Sequence, residues 1–192
     1  MDITAFYDAE FDEHAEVAQK TRDACAVGFA ELLARCTQSV RHGGKIIFFG
    51  NGGSAADCQH LATELTIRYK TDRAPIAAIA LTTDTSALTA GGNDLGFENI
   101  FARQIEALGK PGDVAIGIST SGNSENVIRA LKTAQTRDIV PAALSGKDGG
   151  KLVGLADPLI IVPSDTTARI QEMHITLGQM LCGALEIELG LV

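Results

Sequence analysis

Two short stretches of this chain combine residues able to hold an anion, and a third sets two metal-capable side chains one helical turn apart. Phe49-Gly50-Asn51-Gly52-Gly53-Ser54-Ala55-Ala56 follows an apolar run and opens a helix-like segment. Small side chains there let the backbone approach an anion, and the free N–H groups of a first helical turn point at it. Gly50, Gly52 and Ala55 also satisfy a loose G-x-G-x-x-A dinucleotide pattern. The acidic residue that pattern needs about 20 positions on is missing, because Ile79-Ala80-Leu81-Thr82 carries none, and no Gly-Lys-Ser/Thr follows. The second stretch, Ile118-Ser119-Thr120-Ser121-Gly122-Asn123-Ser124, carries four hydroxyls in six residues. One serine is enough to cap a helix, so this excess predicts a phosphate site built from neutral donors. His60 and Glu64 are four apart and stack on one helix face. On spacing alone the pair suits an imidazole–carboxylate metal site or a surface ion pair.

These residues need a frame to hold them, and the hydrophobic pattern supplies one. Short continuous apolar runs at 45–49, 76–81, 114–118, 140–144 and 159–162 read as strands buried on both faces. Helical spacing predicts helices over 54–70, 97–108, 124–136 and 165–189. The alternation predicts a three-layer α/β/α fold with a five-stranded parallel sheet in flavodoxin-like order and right-handed crossovers. Residues 2–41 lack that alternation and read as one or two amphipathic helices leaning on the sheet or on another subunit. The expected organisation is one domain over 1–192, with a helical segment at 1–42 and the α/β core at 43–192.

Composition narrows the function. The chain has 192 residues, 45% hydrophobic and 21% charged, which excludes a disordered chain. A net charge of -8 argues against non-specific nucleic-acid binding. Apolar runs such as Ile46-Ile47-Phe48-Phe49 fall far short of the ~20 residues of a membrane span, and no signal-peptide pattern follows Met1. Cys25, Cys36, Cys58 and Cys182 are scattered, so they read as buried thiols and not as a disulfide frame or zinc knuckle. A cytoplasmic protein without membrane or nucleic-acid partners is expected.

Five segments also occur in a family order. Gly50-Asn51-Gly52-Gly53-Ser54-Ala55-Ala56-Asp57, Ala80-Leu81-Thr82-Thr83-Asp84, Gly92-Asn93-Asp94, the serine turn, and Arg169-Ile170-Gln171-Glu172 resemble the sugar isomerase (SIS) domain family. The set is similar, more narrowly, to its bacterial phosphoheptose isomerase branch, from about Gly43 to the end of the chain. The resemblance implies conversion of sedoheptulose 7-phosphate to D-glycero-D-manno-heptose 7-phosphate through an enediol, a step toward lipopolysaccharide heptose. It further implies one Zn²⁺ per subunit and a homotetramer with sites between subunits. Carried over residue by residue, it makes His60, Glu64 and Gln171 metal ligands, with position 179 as the fourth, and Glu64 the base. Substrate contacts would come from Asn51, Gly52, Gly53, Ser54, Glu64, Asn93, Asp94, Ser119, Thr120, Ser121, Ser124 and Gln171.

One position departs from the branch. Eight residues after Gln171 its members usually carry a histidine that serves as ligand and acid/base, and this chain has Gln179. An amide can offer a carbonyl oxygen but exchanges no proton near pH 7, so weaker zinc binding is expected. Gln171 and Gln179 lie about 80° apart around one helix, close enough in rotation for one site. His174, about 60° from Gln171, reads as a buried structural histidine. A sister branch of the fold, non-catalytic regulators that bind the replication initiator DnaA, shares Arg169-Ile170-Gln171-Glu172-Met173-His174. Gln179 points toward that branch and the His60–Glu64 pair toward the isomerases.

Overall fold

All five apolar runs become strands of one sheet. In the computed structural model, which describes residues Met1–Val192, the strands are β1 (Ile46–Gly50), β2 (Ala78–Ala80), β3 (Val114–Ser119), β4 (Val140–Gly146) and β5 (Leu159–Val162). They pair in the order β2-β1-β3-β4-β5, every pair parallel. Their runs are continuous because both faces are covered. Ile46, Phe48, Ile116 and Leu144 face one core, and Ile47, Phe49, Ala115 and Ala143 face the other. On the first face lie α1 (Ile3–Arg41), α2 (Gly53–Thr66) and α6 (Thr167–Glu188), packed through Leu32, Cys36, Leu61, Leu65, Ile170 and Leu181. On the second lie α4 (Ile100–Leu108) and α5 (Glu125–Gln135), packed through Phe101, Ile105, Val127 and Leu131. This is the expected three-layer fold.

Two elements differ from the sequence reading. A helix, α3 (Thr85–Leu95), stands where none was expected. Gly91 and Gly92 each disfavour a helix by about 1 kcal/mol, and no residue of α3 is buried, so it has no apolar stripe to read. Asp84 starts it by accepting the Ala87 N–H at 2.9 Å. The helix expected over 54–70 ends instead at Thr66, where the Arg73 guanidinium donates to the carbonyls of Glu64 and Leu65, each at 2.7 Å. Arg73 also pairs at 2.8 Å with Glu186, both side chains buried, so α2 ends on a charge fixed by α6.

The segment 2–41 is a single helix of 39 residues, about 58 Å long, longer than the layer beneath it. Cys25, Leu32 and Cys36 bury it against the sheet. Its first turns are tied to the start of α6 by a His14–Glu172 contact of 2.8 Å and by Arg169, which donates to the Glu10 carbonyl. Ile3, Phe6, Tyr7 and Phe11 are exposed there, with the Tyr7 and Phe11 rings 4.8 Å apart. No helix is long and apolar enough to cross a membrane. All four cysteines are free and buried, and burial holds the Cys182 thiol up at about 12.

Candidate active site

The chain leaves β1 toward one edge of the sheet and β3 toward the other, so their carboxyl ends open a crevice at the switch point of the strand order. Both small-residue turns lie there. Gly50-Asn51-Gly52 leads from β1 into α2, and Ser119 to Ser124 leads from β3 into α5. Gly52 takes φ +57°, ψ −122°, a conformation a side chain would strain. At Gly53 a Cβ would stand 2.8 Å from the Gln171 Nε2, so glycine lets the α6 amide reach the head of α2.

The turns are tied together by a residue that sequence reasoning missed. Asn51 and Asn126 exchange two amide hydrogen bonds of 2.9 Å, and the Asn126 Oδ1 also accepts the Val127 N–H. Asn126 is buried in the first turn of α5. Its only signal in the sequence was an asparagine on the inward face of an amphipathic helix. Asn126→Leu should lower the unfolding free energy by about 1–3 kcal/mol, read in urea, because it strands the Asn51 amide.

In the serine turn, Ser124 is the N-cap residue of α5, yet its side chain makes no capping bond. Instead its Oγ accepts from the Ser119 hydroxyl at 3.1 Å, leaving its own hydrogen free. The Ser121 Oγ accepts the Asn123 N–H at 3.2 Å and likewise keeps its hydrogen. Capping therefore does not account for these hydroxyls.

Beneath the turn, His174 is fully buried with its Nε2 2.9 Å from the Ser145 carbonyl. The carbonyl can only accept, so Nε2 carries the proton and Nδ1 is left bare and unpartnered. Burial pushes the imidazole down to about 4, against the opposing pull of that bond. A histidine neutral in the fold and charged in the unfolded chain contributes stability that is intact above pH 6.5 and is lost as pH falls toward 4. Acidification across that window should remove on the order of 3 kcal/mol, and His174→Met should flatten the loss in urea titrations at each pH.

On α2, the His60 Nε2 lies 3.1 Å from Glu64 Oε1 and 2.6 Å from the Gln179 Nε2. Glu64 is the less exposed partner, at 20% against 49% for His60. With the amide turned to present its oxygen, the His60 Nε2 would face two oxygens. No cluster of three or more His, Cys, Asp or Glu side chains is arranged to hold a metal.

The two glutamines reach different parts of α2. Eight residues of α6 are about 12 Å of rise, which sets Gln171 at the head of α2 and Gln179 beside His60. Ser54 is buried just inside α2. Asn93 and Asp94 bond to each other on exposed α3, at 2.7 Å, and make no hydrogen bond to either turn.

A SIS domain family model matches residues 11–146. The chain is 59% identical over 186 residues to a phosphoheptose isomerase of Paramagnetospirillum magneticum, covering 97% of each chain. Over 92% of each chain it is 54% identical to a phosphoheptose isomerase of Aquifex aeolicus. The solved structure of the phosphoheptose isomerase GmhA from Neisseria gonorrhoeae superposes with a TM-score of 0.90 at 45% identity, over 96% of this chain and 99% of that one. For a phosphoheptose isomerase from Francisella tularensis the TM-score is 0.94 at 33% identity, over 97% and 100%.

Proposed function

Because the chain belongs to the SIS domain family, within its phosphoheptose isomerase branch, we propose that it interconverts sedoheptulose 7-phosphate and D-glycero-D-manno-heptose 7-phosphate. One observation carries this reading. An anion crevice of neutral donors at the β1/β3 switch point shares α2 with a carboxylate held beside an imidazole and an amide. A regulator has no use for that carboxylate, and the relatives at 54–59% identity are phosphoheptose isomerases.

The reaction moves a proton between neighbouring carbons through an enediol. Glu64 is the base: one carboxylate oxygen faces His60 and the other is free to take the proton and return it. Ser119, Thr120, Ser121 and Ser124, with the first amides of α5, hold the phosphate. Asn51, Gly52, Gly53 and Ser54 shape the sugar pocket with Gln171, and Asn93 and Asp94 hold sugar hydroxyls. His60, Glu64 and Gln179 would hold a zinc ion, with Gln171, at the head of α2, as the further ligand the family implies, and zinc would supply polarisation of the sugar carbonyl. Gln179 has no proton to exchange, and His174 is buried away from the crevice, so Glu64 and solvent complete the relay.

The exposed Ile3, Phe6, Tyr7 and Phe11 face supports a homotetramer with sites between subunits. Phe6→Lys with Phe11→Lys should lower the mass seen by light scattering without unfolding the chain, since neither residue enters the core. The deciding experiment is incubation of purified protein with sedoheptulose 7-phosphate, with and without added zinc. Product formation that rises with zinc supports the reading, and no product in either arm overturns it.

A further inference from the structure

A buried hydrogen-bond chain runs from α6 to the serine turn. The His174 Nε2–H donates to the Ser145 carbonyl at 2.9 Å, and the Ser145 hydroxyl donates to the Ser119 carbonyl at 3.0 Å. Ser119 and Ser145 are the last pair of the β3–β4 ladder, so this hydroxyl holds the carbonyl at the point where β3 releases the turn. The same carbonyl accepts the Gly122 N–H at 3.1 Å, which folds the turn back on itself. Beyond it, the Ser119 hydroxyl donates to Ser124. His174 and Ser145 have no solvent exposure, and Ser119 is 4% exposed.

The histidine is poorly explained as packing. Its Nδ1 has no partner, and an unsatisfied buried polar atom is unfavourable where an apolar side chain of similar size would leave none. Met173, Leu177 and Ile170 show that this part of α6 is otherwise apolar. What an apolar residue could not supply is the single N–H aimed at Ser145.

We infer that His174 and Ser145 are positioning residues, which set the shape of the serine turn from beneath and so its affinity for a phosphate dianion. Neither touches the anion. The inference rests on the phosphate role given to that turn above. It adds that the turn's geometry is dictated from the α6 side of the sheet, by groups no substrate reaches.

The test uses the full-length protein, with KM for sedoheptulose 7-phosphate and the inhibition constant of inorganic phosphate as readouts. Ser145→Ala removes the middle link at little structural cost, and both constants should rise about 3- to 10-fold, the effect of one hydrogen bond. His174→Met should match it, and the double variant should be no worse than either single one, since links of one chain are not additive. His174→Gln, whose amide N–H stands near the position of Nε2, should restore most of the loss. Unchanged constants in Ser145→Ala overturn the inference, as do single effects that add in full. If His174→Met does not fold, Ser145→Ala and His174→Gln decide alone. Ser119→Ala with Ser121→Ala separates the two claims: a phosphate constant unmoved by that pair overturns the phosphate role itself, whereas one that moves there and not in Ser145→Ala overturns only the positioning chain.

Discussion

Glu64→Gln should lower kcat by about 10²–10⁴, the usual contribution of a positioned acid or base. The substitution keeps the size of the side chain and an oxygen facing His60, and it removes only the group that can accept a proton. Melting temperature and the phosphate inhibition constant should therefore stay close to wild type, and measuring kcat at saturating zinc separates a lost base from a weakened ligand. Turnover within tenfold of wild type would remove Glu64 from the chemistry. Gln179→His approaches the same site from its other partner. Its imidazole replaces an amide whose nitrogen lies 2.6 Å from the His60 Nε2 and brings an exchangeable proton, so zinc retention on dialysis and kcat should both increase.

The second large effect belongs to the serine turn. Ser119→Ala with Ser121→Ala should reduce kcat/KM by at least about tenfold, since each hydrogen bond to a charged group contributes roughly 1.5–3 kcal/mol. Turnover should suffer along with binding, because the phosphate grip is what places the reacting carbons at Glu64. The loss comes from two sources. Ser121 gives up a free donor, and the change at Ser119 leaves the Ser124 hydroxyl without its partner. Kinetics indistinguishable from wild type would exclude the turn as the phosphate site.

Much of this was legible in the sequence, for reasons that can be assigned. The strands announced themselves because a parallel sheet covered on both faces needs uninterrupted apolar runs. The turns were legible because hydroxyls and glycines gathered beyond any capping need. His60 and Glu64 were paired by helical period, and the structure brings them to 3.1 Å. The third helix was invisible because nothing on it is buried and two glycines interrupt it. Asn126 and Ser145 were missed because their partners lie 75 and 26 residues away, distances over which periodicity carries no information. That the Gln171 amide would meet Gly53 and the Gln179 amide His60 was not legible either, because it follows from the packing of α6 along α2.

That packing has an evolutionary consequence. Where α6 crosses α2, Gly178 leaves no room for a Cβ, which would lie 2.5 Å from Leu61, so the separation of the two helices is set by a residue that has no side chain. Its neighbour at 179 projects toward the half-exposed His60 and takes no part in fixing that separation. Donor identity at 179 is thus uncoupled from the spacing of the scaffold. Glutamine and histidine codons differ by a single third-position nucleotide, so a lineage can cross between an amide and an imidazole in one step without passing through a misfolded intermediate. Under the zinc role proposed above, metal affinity is accordingly a trait that selection can tune quickly, in either direction, while the fold stays as it is.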